Sequence, residues 1–445
     1  MTQITSPQFA AATGLLDVFV IGGGPAGSTA AALLAMKGRK VGLADKDVHP
    51  RFHIGESLLP TSMRMFDKLG VMERMAAIGI PKYAAEFVSQ YHGRTETFQF
   101  GNALDTSLPY SFQVPRAQFD EVLISNAAER GVAVQQGCKV TAAERDAATG
   151  IWSIEGVQDG ITHKWTARYV IDASGRETFF GGKNGWKVKN PDHTSAAIYA
   201  HFKDVFRPEG RSGGNIQLYW FAHGWFWAIP LINGITSIGA VCWPYYLKSR
   251  KVSVEQFFAD TIALAPDLAK RLEGSTRVGE ITATGNFTYK CSQNRGDGYM
   301  LIGDAYGFID PLFSTGVMLA TEGAASAAER VHVILDNPAE EERLIAEHKR
   351  NFDKAMRDFT WLIYRMPSPI MRDIMMSHDE GITNPRAIMA KRAVISLLSG
   401  DVFSETTALM HKHLRTFRIL YYVRCLSQPL RWWRHRNYRN MYLSG

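Results

Sequence analysis

The sequence predicts an α/β chain, in which a dinucleotide-binding parallel sheet carries an inserted antiparallel sheet and ends in a helical C-terminal region. Three observations lead there. A glycine-rich turn near the start joins an apolar run to a small-residue helix. Residues from about 195 to 290 are strand-like and rich in Tyr, Phe, Trp and Ile. A second apolar strand ending in Gly-Asp, 299–304, then returns to the first unit, and from Gly316 the pattern is helical almost to the end. The expected units are 14–190 (first part of the dinucleotide domain), 191–290 (inserted sheet), 291–336 (return segment) and 337–445 (helices with a basic tail).

The first element is Val18-Phe19-Val20-Ile21, a buried parallel strand by its continuous apolar run. Gly22, Gly24 and Gly27 follow as GxGxxG. The first glycine allows a tight turn, the second the approach of a pyrophosphate, and the third close packing of helix on strand. Pro25 and Ala26 open a helix running to Met36, with Pro25 where a missing N–H costs nothing. Lys40 to Ala44 forms the next strand, and Asp45 ends it at the distance where an acid meets an adenosine ribose. One helix is expected over 61–75, a strand over 82–88, a helix from Arg116 to Gly131 and one over 254–272.

Composition bounds the rest. The chain has 445 residues, enough for two or three structural units, and 46% hydrophobic with 21% charged residues describes a globular protein. Four scattered cysteines without CxxC, and histidines without HExxH, predict free thiols in a reducing cytoplasm and no metal. Residues 1–13 lack the basic start of a signal peptide, and no stretch is long and apolar enough to span a membrane. The charge of +7 is uneven. Eight Lys or Arg and no acid lie between His411 and Asn440, while the other 42 basic residues nearly balance 43 acids. That tail can end as a solvated helix, meet an acidic carrier domain or settle on an anionic membrane. Nucleic acid is not expected as a partner.

An interrupted dinucleotide domain with an inserted sheet suggests a flavoprotein, since an NAD dehydrogenase usually continues in βαβ units. Four further stretches sharpen this. Trp225-Phe226-Trp227-Ala228-Ile229-Pro230 reads WxWxIP, and Phe308 to Gly316 reads FxxPxxSxG. Lys82 follows the Gly55-Glu56-Ser57 segment, and Gly303-Asp304 closes the return strand. With these motifs the chain resembles the FAD-dependent halogenases, which share the aromatic-hydroxylase flavin fold, over roughly residues 15 to 365.

The resemblance implies FAD held by the glycine turn, Asp45, Arg51, Ser57, Arg116, Gly303, Asp304 and Pro311. It implies halide at the amides of Thr315 and Gly316, and a barrier of Trp225, Trp227 and Pro230 between flavin and substrate. It implies Lys82 as the catalytic group presenting hypohalous acid, or a haloamine, to an aromatic ring. Reduced FAD would come from a separate flavin reductase, with O2 and chloride or bromide as co-substrates. The role of Glu56 stays open. Tryptophan-specific relatives carry a glutamate directly before Ser-Thr-Gly; here Phe313 stands there. The resemblance therefore implies a ring that activates itself, phenolic or pyrrolic, free or tethered to a carrier protein. The alternative within the same fold is an FAD-dependent aromatic monooxygenase.

Overall fold

The computed structural model describes residues 14–190, 195–285, 288–377 and 384–438, and of 434–438 the backbone alone. The N-terminal stretch 1–13 and Arg439 of the basic tail lie outside these residues. Five parallel strands form the centre of the first sheet, in the order Ala133–Gln135, Val41–Ala44, Leu16–Ile21, Ile161–Asp172 and Tyr299–Leu301. The register sets Val20 beside Leu43 and Ile171, and Asp172 beside Leu301, so four strand ends finish level. The long strand Ile161–Asp172 turns its first half to an antiparallel partner, Trp152–Gln158, which in turn pairs with Lys139–Arg145.

One face of this sheet is covered by the helices Pro25–Met36, Arg116–Glu129 and Thr315–Asp336. Their contact residues are small where they must come close: Ala30, Ala31, Ala324 and Ala327 are all fully buried. On the other face Phe19 lies 5.0 Å, centroid to centroid, from Trp165 of the antiparallel extension.

The second sheet has seven strands, and five of them, between 196 and 285, come from the expected insert 191–290. Two more, Ala84–Ser89 and Arg94–Gln99, come from within the stretch expected to belong to the first unit. Ala84–Ser89 joins by a parallel pairing with Ile216–Phe221, a long-range contact that alternation of side chains does not reveal. Strand Gly224–Pro230 sits near the middle, fully buried, and divides its side chains strictly. Trp225, Trp227 and Ile229 face the main core, whereas Phe226 and Ala228 face the helices Val254–Ala263 and Pro266–Arg271.

Three expected elements divide. The helix over 61–75 becomes Ser62–Leu69 and Met72–Ile78 because Gly70 takes a left-handed conformation, φ 73°, as a C-cap. The helix over 254–272 breaks before Pro266, which cannot continue the hydrogen-bond ladder. The strand over 82–88 splits at Tyr83: Ile80–Lys82 pairs with Ser111–Gln113, and Ala84–Ser89 enters the large sheet.

The C-terminal helices, Glu341–Ile363, Pro369–Met375, Pro385–Leu398, Thr407–Ser427 and Pro429–Tyr438, pack over the second sheet. Phe352, Met356, Phe359 and Ile363 are buried as a single stripe. All four cysteines are free and buried.

The first turn is the tightest point. A Cβ on Gly27 would stand 1.8 Å from the Gly22 carbonyl oxygen, a backbone atom with no freedom to retreat. Gly27→Ala should lower the stability of the cofactor-free protein by about 3 kcal/mol, the upper range for overpacking, measured by urea unfolding. An unchanged midpoint would mean that the turn relaxes.

Candidate active site

A cavity of about 490 Å³ opens at the C-terminal ends of the parallel strands and is walled on its other side by the second sheet. Strand ends of a parallel sheet are where ligands of such folds bind, because the following helices present N–H groups there. Of the residues expected to hold a cofactor, Gly22, Gly24, Pro25, Ala26, Asp45, Arg51, Ser57, Arg116, Asp304 and Pro311 line it. Gly27 and Gly303 do not. They are close-packing positions, Gly27 against Gly22 and Gly303 with its α-carbon facing the Ala26 methyl.

The turn fits a pyrophosphate by the space it leaves. Gly22 has φ 100°, and a Cβ there would meet the Ala173 carbonyl at 2.5 Å. At Gly24 the nearest atom to a Cβ is the Arg51 guanidinium, 3.9 Å away, so this backbone faces open volume beside a cation. Asp45 borders the cavity and is buried; its carboxylate accepts from the Gly23 amide at 2.5 Å and the Asp47 amide at 2.8 Å. It therefore fixes the turn and also borders the cavity.

The charged wall is built around Asp120. Its carboxylate is fully buried and receives Arg116 Nε at 2.9 Å and Arg51 Nη1 at 3.0 Å. Burial works to raise its pKa, but the charges and hydrogen bonds of Arg116, then the charge of Arg51, hold it below the ordinary value. Arg116 also donates to the Ile54 carbonyl at 2.8 Å. The Arg116 charge, and then burial, pull neighbouring His53 down to about 4, so this imidazole is neutral. Across the cavity, burial lifts Asp304 to about 6.

Sequence reasoning left Glu56 open and missed Asp120, His201, Phe52 and Tyr199. Glu56 is buried; one carboxylate oxygen meets His201 Nε2 at 2.8 Å and the other has no hydrogen-bond partner among the described residues. Burial lowers the His201 pKa, but the Glu56 hydrogen bond and charge outweigh it and raise the value. The Arg116–Asp120 spacing of four residues on one helix was a legible signal; the pairing of Glu56 with a strand 145 residues onward was not.

The Trp225 and Trp227 rings line the cavity, with centroids 6.0 Å apart. Trp227 lies flat over Gly239, where a Cβ would come within 2.1 Å of the ring, and donates to Ser237 Oγ at 3.1 Å. Trp225 also borders a second, small cavity with Asp310, Leu312 and Ile363. Pro230, at the strand's far end opposite Thr236, is not on the cavity wall.

Ser314, in a left-handed conformation, leads into the 22-residue helix Thr315–Asp336. Ser314, Gly316 and Val317 face the cavity, so the positive end of this helix points into it. Thr315 is itself turned inward, with its hydroxyl buried and without a hydrogen-bond partner.

Lys82 lies behind this wall, 1% exposed. Its Nζ donates to Ser57 Oγ and the Leu58 carbonyl, both at 2.9 Å, and stands 5.2 Å from the centre of the Phe100 ring. Ser57 borders the cavity, so the amine reaches the chamber through one hydroxyl. Both hydrogen-bond acceptors are neutral, and burial pulls the amine from 10.5 down to about 7.

This has a stability signature. An unfolded chain keeps the lysine proton up to 10.5, whereas the folded chain releases it near 7. Between these values the unfolded state binds more protons, so stability rises with pH; below 7 the burial penalty is felt in full. Urea unfolding of wild type and Lys82→Met should show this slope in the wild type and not in the variant. Equal slopes would mean that the amine keeps its ordinary pKa when buried.

The description "FAD binding domain" fits residues 15–358 of the chain. The 1H-pyrrole-2-carbonyl-[peptidyl-carrier protein] chlorinase of Pseudomonas fluorescens is 28% identical over 415 residues, covering 87% of this chain and 90% of the relative. The corresponding brominase of Pseudoalteromonas luteoviolacea is 32% identical over 324 residues, covering 72% and 78%. Among solved structures, a flavoprotein/dehydrogenase from Cytophaga hutchinsonii superposes with a TM-score of 0.82 at 28% identity, over 93% of this chain and 100% of its own. With a flavin cradle at the strand ends and these relatives over most of its length, the chain belongs to the flavin-dependent halogenases.

Proposed function

We propose that this enzyme places chloride or bromide on a phenolic or pyrrolic ring, free or held on a carrier protein, by way of hypohalous acid handed to Lys82. The observation that carries this is the buried Lys82 amine, one hydroxyl away from the cavity and near half-neutral at pH 7. Gly22–Ala26, Arg51 and Arg116 would hold reduced FAD, which when bound would supply, with O2, the two-electron oxidation of halide.

The chain's own groups do the rest. The first turn of the helix at Thr315 and Gly316 supplies N–H donors for an anion beside the cavity. Trp225 and Trp227 fill the wall that a ring would otherwise cross to reach the flavin. Ser57 orients the Lys82 amine. As an ammonium, Lys82 can hydrogen-bond the hypohalous oxygen; as a free amine, it can take the halogen itself. Phe313 is buried beside the Thr315 turn and offers no base, which supports a substrate ring that donates its own electron density. The two carrier-protein relatives support a tethered ring in particular. A separate flavin reductase and a cytoplasmic setting complete the reading; four free buried thiols support the latter.

A second reading is an FAD-dependent aromatic monooxygenase of the same fold, favoured by the likeness to a flavoprotein/dehydrogenase. Mass spectrometry separates the two. With FAD, a flavin reductase, NADH, bromide or chloride, and phenols or pyrroles, a halogen isotope pattern is expected that disappears in Lys82→Ala. Oxygen added without halide would establish the monooxygenase. Halogenation undiminished in Lys82→Ala would remove the lysine from the mechanism.

Trp225 gives a separate test. Trp225→Ala should join the main cavity to the small one beside Asp310 and release hypohalous acid before it reaches Lys82. Halogenation of a diketone trap in solution should then rise about tenfold relative to product, a shift of roughly 1.4 kcal/mol in partitioning. An unchanged ratio would mean that the tryptophan does not seal the chamber.

A further inference from the structure

The helix Thr407–Ser427 is apolar on two opposite sides. Its inner stripe, Met410, Leu414, Phe417, Tyr421 and Cys425, is buried against the protein. It is fixed there by Asp358, which receives His411 and Arg418 at 2.5 and 2.9 Å. The opposite side carries Ile419, Val423 and Leu426, exposed by 63, 55 and 73%. The next helix, Pro429–Tyr438, also exposes Leu430 and Trp433, at 74 and 60%. Isolated exposed aliphatics are ordinary, but five bulky ones between residues 419 and 433 mark a contact surface.

We propose that this outer face docks on the surface of an anionic lipid bilayer, with Ile419, Val423, Leu426, Leu430 and Trp433 entering the headgroup region. Charge and shape select this occupant. Lys412 and Arg415 occupy the same outward side one to two turns earlier, and residues 406–445 contain no acid. A second copy would bring the same positive excess against itself. More than half-exposed side chains on a convex helix suit a partner that demands no matching pocket, and Leu and Trp beside Arg and Lys are what a monolayer interface accepts. An acidic carrier domain shares the charge logic, but gives no reason for the length of the apolar stretch.

The test uses the full-length FAD-loaded protein in co-sedimentation with phosphatidylcholine vesicles, with and without phosphatidylglycerol. Binding to the anionic vesicles should exceed that to neutral ones by at least about tenfold and fall with salt, because basic residues near such a surface are attracted to it and salt screens that attraction. Leu426→Gln with Leu430→Gln, and separately Lys412→Gln with Arg415→Gln, should each abolish most of it while flavin content and halogenation of a free phenol stay unchanged. Equal binding to both vesicles, or binding indifferent to both variants, would overturn the proposal. So would a dimer in sedimentation velocity that Leu426→Gln with Leu430→Gln makes monomeric. Capture of a purified acidic carrier domain through this face, without vesicle binding, would overturn it as well.

Discussion

Everything around the chamber depends on how closely three strand ends approach one another. The first helix can start only where it does because Gly27 rests on the Gly22 carbonyl and Gly22 lies against Ala173. The same closeness brings the Gly303 turn against Ala26 and so sets Asp304 opposite the arginines. No side chain fits in these gaps. The chamber is therefore the space left over by backbone contact, bordered by the glycine turn that opens the first helix.

Upon that frame the charges are arranged for opposite purposes. Asp120 is sunk beneath Arg51 and Arg116 so that both guanidinium groups stay in place at the cavity wall. Lys82, by contrast, has no anionic partner among the described residues, and burial rather than pairing sets its proton affinity. An ion pair with a carboxylate would have held the amine permanently charged and unreactive. Two neutral acceptors position it without that consequence.

Much of this was legible in the chain. GxGxxG between an apolar run and a helix, and an acid after the next strand, are local patterns with local causes, and the structure forms them at those residues. The site motifs were legible because each is contiguous. What sequence could not give is what depends on distant partners. Ala84–Ser89 joins the second sheet by pairing with residues about 130 positions later, and Glu56 meets His201 on a different sheet. Pro230 belongs to its motif but sits beyond the cavity, since strand alternation carries every second side chain to the other side. Gly70 and Pro266 show the reverse case: each breaker was visible, yet the apolar spacing around it outweighed it in the reading.

The chamber's two walls come from different sheets, one floored by Leu16–Ile21 and the other by Gly224–Pro230. Whatever fills about 490 Å³ between them acts as mortar. By mass action a ligand held only by the assembled walls adds its binding free energy to the folded state, growing with the logarithm of its concentration. The protein would then be sturdiest with its flavin in place and loosest when the chamber is empty.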